Sequence, residues 1–185
     1  AHACIFSVQV ALAEWFRSCG IRPDAVTGHS SGEVAAAYAA GVLSLEDSVH
    51  LCFHRSRLQD RAAGTGGMLA AGLSAEEAEE LIRQHDTVSI AAVNSRNAVT
   101  LSGETTVLEQ IAGRLKTETI FNRFLKVEVP YHSPAMDAVL PELEEVLDGV
   151  TLRKEEIPLV AAASGDWIDG LEMDGAYWKR NVREP

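Results

Sequence analysis

Residues 24–41 carry the feature that most constrains the fold of this chain. A short β-favouring run, Asp24–Thr27, leads into the turn GHSSG at residues 28–32. An alanine-rich, strongly helix-forming segment follows at 33–40. Glycine at both flanks of a sharp strand-to-helix turn removes side chains that would clash inside it. The pattern therefore predicts an α/β unit with Ser30 exposed at the carboxyl end of the strand.

Ser30 has the setting of a nucleophile. The helix after the turn directs its first N–H groups, including that of Ser31, at the same point, where they can stabilise an oxyanion. The alternative interpretation is a tight turn with a capping serine. Glu33 and the alanine-rich helix favour the nucleophile.

Bulk composition excludes several classes of protein. The 185 residues are 46% hydrophobic and 23% charged, as in a globular domain with a core. There is no apolar run of about 18 residues and no secretory signal, so we expect no membrane partner. The net charge of -11 argues against nucleic acid. We expect the three cysteines to be reduced and buried, in a cytoplasmic protein, and we expect no metal site.

Hydrophobic periodicity predicts the remaining elements. A first helix spans 2–19, with an apolar face formed by Ile5, Val8, Leu12, Trp15 and Phe16. Another runs from about 45 to 62, started by Ser44 and Asp47. We also predict a helix over 136–147 and a strand over 157–163.

A glycine-rich joint at 64–67 divides the chain. The segments after it alternate as strand, helix, strand, strand, helix, strand, at 68–73, 75–85, 88–93, 98–102, 105–116 and 121–129. This βαββαβ order is the ferredoxin-like arrangement. It predicts a small domain at 64–128, inserted into a larger α/β domain formed by 1–63 and 129–185.

The segment GHSSGEVAAAYAAGVLSLEDSVHL resembles the nucleophile segment of acyltransferase domains in polyketide and fatty-acid synthases. Within that family, the segment is most similar to the malonyl-CoA:acyl carrier protein transacylase type. The resemblance continues through AAVNSRNAVTLSGE to YWKRNVREP, and so covers nearly the whole chain. It implies an α/β-hydrolase-like core with an inserted ferredoxin-like subdomain. We expect both ends to be truncated: an upstream strand with a second oxyanion donor, and a segment beyond Pro185 that orients the histidine, would lie outside the chain.

Spacing alone cannot select a base among the six histidines. The resemblance assigns that role to His132, in the segment VPYHSP; the alternative is a histidine that caps the turn before Pro134. We expect a backbone carbonyl to orient the base, so no third triad member is named. His29 is expected to point away from Ser30 and to serve as a packing or secondary binding residue.

Arg55 falls on the arginine that binds the free carboxylate of malonyl-type substrates in the family. A guanidinium can make two parallel hydrogen bonds to a carboxylate and keeps its charge when desolvated. The alternative is a solvated helix charge.

Val129, Pro130 and Tyr131 precede the base, where the family selects its acyl group. An aromatic ring at Tyr131 fills the space that a 2-methyl group would need, which favours malonyl. Ser31 matches neither of the residues usual after the nucleophile, so methylmalonyl stays open. A methyl group in a pocket is worth only about 1–3 kcal/mol.

The resemblance implies a ping-pong transfer. Ser30 takes the acyl group from acyl-coenzyme A and passes it to the phosphopantetheine of an acyl carrier protein, with no bound cofactor. Neighbouring synthase domains would be further partners. Three alternatives stay open: a free-standing malonyl transferase of fatty-acid synthesis, an α/β-hydrolase esterase, and a non-catalytic scaffold fragment.

Overall fold

The computed structural model describes residues 2–185, which form a mixed α/β fold. Its α-helices are α1 (His2–Ser18), α2 (Gly32–Ala39), α3 (Leu45–Gln59), α4 (Ala75–Ile82), α5 (Thr105–Thr117), α6 (Leu140–Leu147) and α7 (Gly175–Arg183). Its strands are β1 (Val26–Thr27), β2 (Gly67–Ala71), β3 (Val88–Ser95), β4 (Ala98–Gly103), β5 (Asn122–Phe124), β6 (Leu159–Val160) and β7 (Trp167–Ile168). Short 3₁₀ turns lie at Asp60–Ala62, Pro134–Val139 and Gly170–Glu172.

The first of two compact units comprises the residues up to Leu58 together with Pro141–Asn181. Its sheet has the order β1-β6-β7, with β1 parallel to β6 and β7 antiparallel to β6. Four residues, 28–31, separate the end of β1 from the start of helix α2, whose residues 32–37 are all buried. Alanine makes this possible, because its small side chain lets a helix pack closely on every face.

Helix α1 forms where periodicity predicts it, and its apolar face is exposed. Ile5, Val8, Leu12, Trp15 and Phe16 are 45–59% exposed. Phe6 is the buried residue of this helix, and Glu14 accepts a hydrogen bond from the Tyr38 hydroxyl of α2. A periodic pattern identifies a helix with two unlike faces, and the rest of the structure determines which face is covered.

The second unit comprises Gln59–Leu140 and Val182–Pro185. Its elements follow the order β2-α4-β3-β4-α5-β5, and its sheet has the strand order β3-β4-β2-β5 with every neighbour antiparallel. Helices α4 and α5 contribute to one core with the strands. From these helices the core contains Ala78, Leu108, Ile111 and Leu115.

Local sequence signals locate the helix starts well. Ser44 accepts from the Asp47 N–H at the start of α3, and Ser74 forms a capping box with Glu77 at α4, as such pairs predict. The last strand of the small sheet is shorter than predicted, because β5 pairs with β2 through three residues only. Pro141 lies in the first turn of α6, where a missing N–H costs no helical hydrogen bond.

The cysteine prediction is correct in one part and wrong in another. All three thiols are free, but only Cys52 is buried, whereas Cys4 and Cys19 are exposed. The two exposed cysteines lie on or just after α1, whose apolar face is also exposed. Within residues 2–185, no helix has both the length and the apolar character required to cross a bilayer.

Candidate active site

Ser30 occupies a sharp turn between β1 and α2. Its φ is 53°, in the left-handed region that non-glycine residues rarely adopt. Hydrogen bonds from the Gly32 N–H to His29 O (2.9 Å) and from the Glu33 N–H to Ser30 O (3.1 Å) close the turn. A strained serine between a strand and a helix is the geometry of a nucleophile elbow.

The two flanking glycines are not equivalent. A Cβ on Gly28 would lie 2.4 Å from the backbone of Gly32 and Glu33, so this position excludes any side chain. A Cβ on Gly32 would meet only the Gln9 amide at 3.4 Å, an ordinary contact. The expectation that both glycines avoid a clash is therefore right for Gly28 and wrong for Gly32.

Ser31 precedes α2 with helical backbone angles and makes no side-chain capping bond. This disfavours the interpretation of Ser31 as a capping serine. Its N–H lies at the positive end of the helix dipole, next to Ser30, where it could donate a hydrogen bond to an anion. His29 is exposed, which disfavours a packing role and leaves that of a secondary binding residue.

Arg55, on α3, lies beside the nucleophile although 25 residues separate the two in sequence. Its Nη2 donates to Ser30 Oγ at 3.2 Å, and its Nε donates to Asn181 Oδ1 at 3.2 Å. The side chain is only 1% exposed. This burial contradicts the alternative of a solvated helix charge, because a cation that deep requires charge and hydrogen-bond partners.

A network of buried polar groups surrounds this pair. Glu33 is 1% exposed and accepts hydrogen bonds from the Ala162 N–H and the Tyr177 hydroxyl, each at 2.7 Å. The Asn181 Nδ2 donates to Glu33 Oε2 at 2.5 Å and to the Ser30 carbonyl at 3.3 Å. Burial, and after it the charge of Glu33, raises the pKa of Tyr177, which keeps its hydroxyl a donor.

His132 lies in the second unit, is buried, and has a positive φ of 57°. Its Nδ1 lies 2.6 Å from the Glu184 carbonyl oxygen. A carbonyl can only accept, so Nδ1 must carry the proton and Nε2 is the basic nitrogen of the neutral ring. The carbonyl hydrogen-bonded to His132 therefore belongs to Glu184, within the chain.

The residues around His132 hold the loop in place. The Ser133 hydroxyl is fully buried, donates to Pro130 O at 2.7 Å, and accepts from the Ala135 N–H. The Tyr131 N–H donates to Val129 O at 3.0 Å. Val129 and Pro130 are buried, and Tyr131 is half-buried.

The sequence profile of the family described as acyl transferase domain matches residues 1–185. The chain belongs to this family. Polyketide synthase GfsA of Streptomyces halstedii is 39% identical over 181 residues, which are 97% of this chain but only 2% of that protein. The chain therefore spans only a small part of the length of this relative.

Solved structures agree with this acyl transferase assignment. The acyltransferase domain from module 8 of the salinomycin polyketide synthase superposes with a TM-score of 0.93 at 32% identity, covering 97% of this chain and 43% of that chain. MCAT from Streptococcus pneumoniae superposes with a TM-score of 0.91 at 26% identity, covering 100% and 62%. The mixed α/β fold is therefore that of solved acyltransferase domains.

Of the predicted site residues in this acyl transferase domain, the structure brings Ser30, Ser31 and Arg55 together in the first unit. His132, Tyr131, Val129 and Pro130 belong to the second. No group of three or more potential metal ligands occurs within the described residues 2–185. Sequence reasoning missed Asn181, Glu33 as a binding partner, and Tyr177. The signals available were a glutamate directly after the turn and an asparagine in the final YWKRNVREP segment.

Proposed function

We propose that this acyl transferase domain transfers a malonyl group from coenzyme A to the phosphopantetheine thiol of an acyl carrier protein, through an ester on Ser30, within a polyketide synthase. The observation that carries the proposal is the buried guanidinium of Arg55, 3.2 Å from Ser30 Oγ. In a malonyl ester on Ser30, one methylene group separates the ester carbonyl from the free carboxylate, which is therefore within reach of that cation. A guanidinium binds such a carboxylate with charge-assisted hydrogen bonds.

His132 is the proposed base, with Nε2 as its proton acceptor. Ser30 Oγ attacks the thioester carbonyl carbon while His132 takes the hydroxyl proton, and the Ser31 N–H donates to the oxyanion. Collapse expels the coenzyme A thiolate, which recovers the proton from His132. The carrier thiol then attacks the ester by the same steps, and Ser30 regains its proton as it leaves.

The proposal includes the finer description of the fold and setting. An α/β-hydrolase-like core would comprise residues 1–63 and 129–185, and a ferredoxin-like subdomain 64–128. The nucleophile turn of the first unit and the all-antiparallel β3-β4-β2-β5 order of the second support two parts of this kind. Their bounds differ from the proposed ones, because residues 129–140 and 182–185 cluster with the second unit. The proposed partners are the carrier protein, acyl-coenzyme A and neighbouring synthase domains. The three free thiols suit a cytoplasmic setting.

Malonyl is preferred over methylmalonyl in this proposal because of Tyr131. An aromatic residue directly before the proposed base would fill the volume that a 2-methyl group needs. The preference is expected to be finite, since one methyl group contributes about 1–3 kcal/mol of discrimination.

Intact-mass spectrometry with peptide mapping tests the proposal on the complete gene product. Incubation with malonyl-coenzyme A should give an adduct on Ser30 that is absent in Ser30→Ala. Arg55→Ala should weaken malonyl loading by about 1.5–3 kcal/mol, or about 10- to 150-fold. Arg57→Ala is the matched control, because Arg57 lies on the same helix but pairs with Glu142 at 2.9 Å; it should load normally.

The outcomes separate the alternatives. Equal or preferred loading of methylmalonyl would overturn the role of Tyr131 and leave the mechanism intact. Hydrolysis of neutral esters that is unaffected by Arg55→Ala would favour an esterase. A folded protein that forms no adduct with any acyl-coenzyme A would contradict the nucleophile and favour the scaffold.

A further inference from the structure

Asn181 joins two buried groups of opposite charge. An ionised carboxylate only accepts hydrogen bonds, and a guanidinium only donates them. Asn181 presents its Nδ2 to Glu33 and its Oδ1 to the Nε of Arg55. An amide can serve both neighbours in one orientation only, so Glu33 determines which end of Asn181 faces Arg55.

Glu33 is itself held by the backbone and by α7. Its Oε1 accepts from the Ala162 N–H, in the β6–β7 connection, and from the Tyr177 hydroxyl. The orientation of the carboxylate is therefore transmitted through Asn181 to Arg55. Because the guanidinium is planar, holding its Nε and Nη2 sets the direction of all five donors.

We propose that Asn181, held by Glu33, is a positioning residue that determines the preference for acyl groups with a free carboxylate. This inference rests on the proposed function, in which Arg55 binds that carboxylate. Asn181 acts through Arg55, so its removal should weaken the recognition of malonyl more than that of acetyl, which has no carboxylate to bind. Geometry matters here because a bidentate guanidinium–carboxylate pair requires the two planes to align.

The first test compares Asn181→Ala with wild type in the complete gene product. Ser30 loading rates are measured by intact mass over a range of malonyl- and acetyl-coenzyme A concentrations. We expect the malonyl-to-acetyl selectivity to fall about tenfold or more. The change should be mainly a higher malonyl concentration for half-maximal rate. An unchanged ratio, or an equal loss with both substrates, would overturn the inference.

A second pair of variants exchanges the hydrogen-bond donor and acceptor between positions 33 and 181. Asn181→Asp alone places a second carboxylate against that of Glu33 and should lose malonyl selectivity. Adding Glu33→Gln restores a donor at position 33 facing an acceptor at 181, with the same net charge, and its Oε1 can still accept from Tyr177 and Ala162. The double variant should recover part of the selectivity; the recovery is incomplete because the contact of Asn181 with the Ser30 carbonyl is not restored.

Asn181→Asp and the double variant also test the inference if Asn181→Ala does not fold. Circular dichroism melts establish folding for each variant, and the comparison of Asn181→Asp with the double variant then decides. If a folded double variant recovers no malonyl selectivity, the proposed positioning role of Asn181 is overturned. Wild type that loads malonyl in an Arg55-dependent manner, with no effect at Asn181, contradicts this inference alone. Wild type that loads nothing contradicts the proposed function, and this inference with it.

Discussion

Ser30 holds a left-handed backbone conformation, with φ at 53°, that costs an L-residue about 1–2 kcal/mol. The surrounding turn imposes it, since the Asn181 amide and the Glu33 N–H both bind the Ser30 carbonyl. Strain of this kind persists only where neighbouring contacts over-determine the backbone, and it commonly marks functional residues.

Two variants that both lack the hydroxyl measure this strain. Ser30→Gly should be more stable than Ser30→Ala by about 1 kcal/mol, because glycine adopts positive φ without a steric penalty. Urea denaturation of the two proteins gives the difference, and neither should form an acyl adduct. Equal free energies of unfolding would show that the elbow is not strained at this residue.

Cys52 is the buried thiol of α3, 5% exposed. Burial is the main reason that its pKa is raised, despite the opposing charge of Arg55. We therefore expect Cys52 to resist iodoacetamide at about pH 8 in the native protein and to react after denaturation, because the thiolate is the reactive form. Mass mapping of the labelled peptides checks this. Rapid native labelling of Cys52 would contradict its burial.

The strand-to-helix turn is an element whose two glycines have different roles. Gly28→Ala places a Cβ 2.4 Å from the backbone of Gly32 and Glu33, and should cost about 3 kcal/mol and disturb Ser30. Gly32→Ala has an open position at a helix start and should change stability by less than about 1 kcal/mol. Denaturation midpoints of this matched pair measure both effects. Similar losses from the two substitutions would refute the described turn.

Elements with local signals were predictable, and their packed faces were less so. Ser44 begins a helix as predicted, and Ser74 begins α4 in the same way, because a cap is made by residues three apart in sequence. The pattern of α1 did not indicate whether its apolar face is covered or exposed, because burial depends on partners elsewhere in the chain. The strand predicted at 121–129 is reduced to three residues for the same reason, since its length depends on pairing with β2.

Tyr177 links a local network to the stability of the whole molecule. Burial and Glu33 raise its pKa above the ordinary value of 10.0. Below about pH 10 the phenol is protonated in both states. Above it the unfolded tyrosine ionises while the folded one keeps its proton, so stability is lost as pH rises.

The free energy of unfolding should therefore fall more steeply above about pH 10 in wild type than in Tyr177→Phe. The difference in slope should approach about 1.4 kcal/mol per pH unit. Urea denaturation at about pH 8 and about pH 11 measures it. The phenylalanine variant should be less stable at the lower pH, because Glu33 loses a donor. Parallel slopes would contradict a raised pKa.

The sequence by itself predicted the elbow, the family, and three candidate site residues: Ser30, Arg55 and His132. Each of the three was recognised within its own short contiguous motif. Only the tertiary structure decided that Asn181 bridges Glu33 and Arg55, that Glu184 orients His132, and that the apolar face of α1 is exposed. Each of these contacts joins residues more than 50 positions apart or depends on what covers a surface. Such contacts leave no periodicity or spacing in a single sequence, because folding alone brings their partners together.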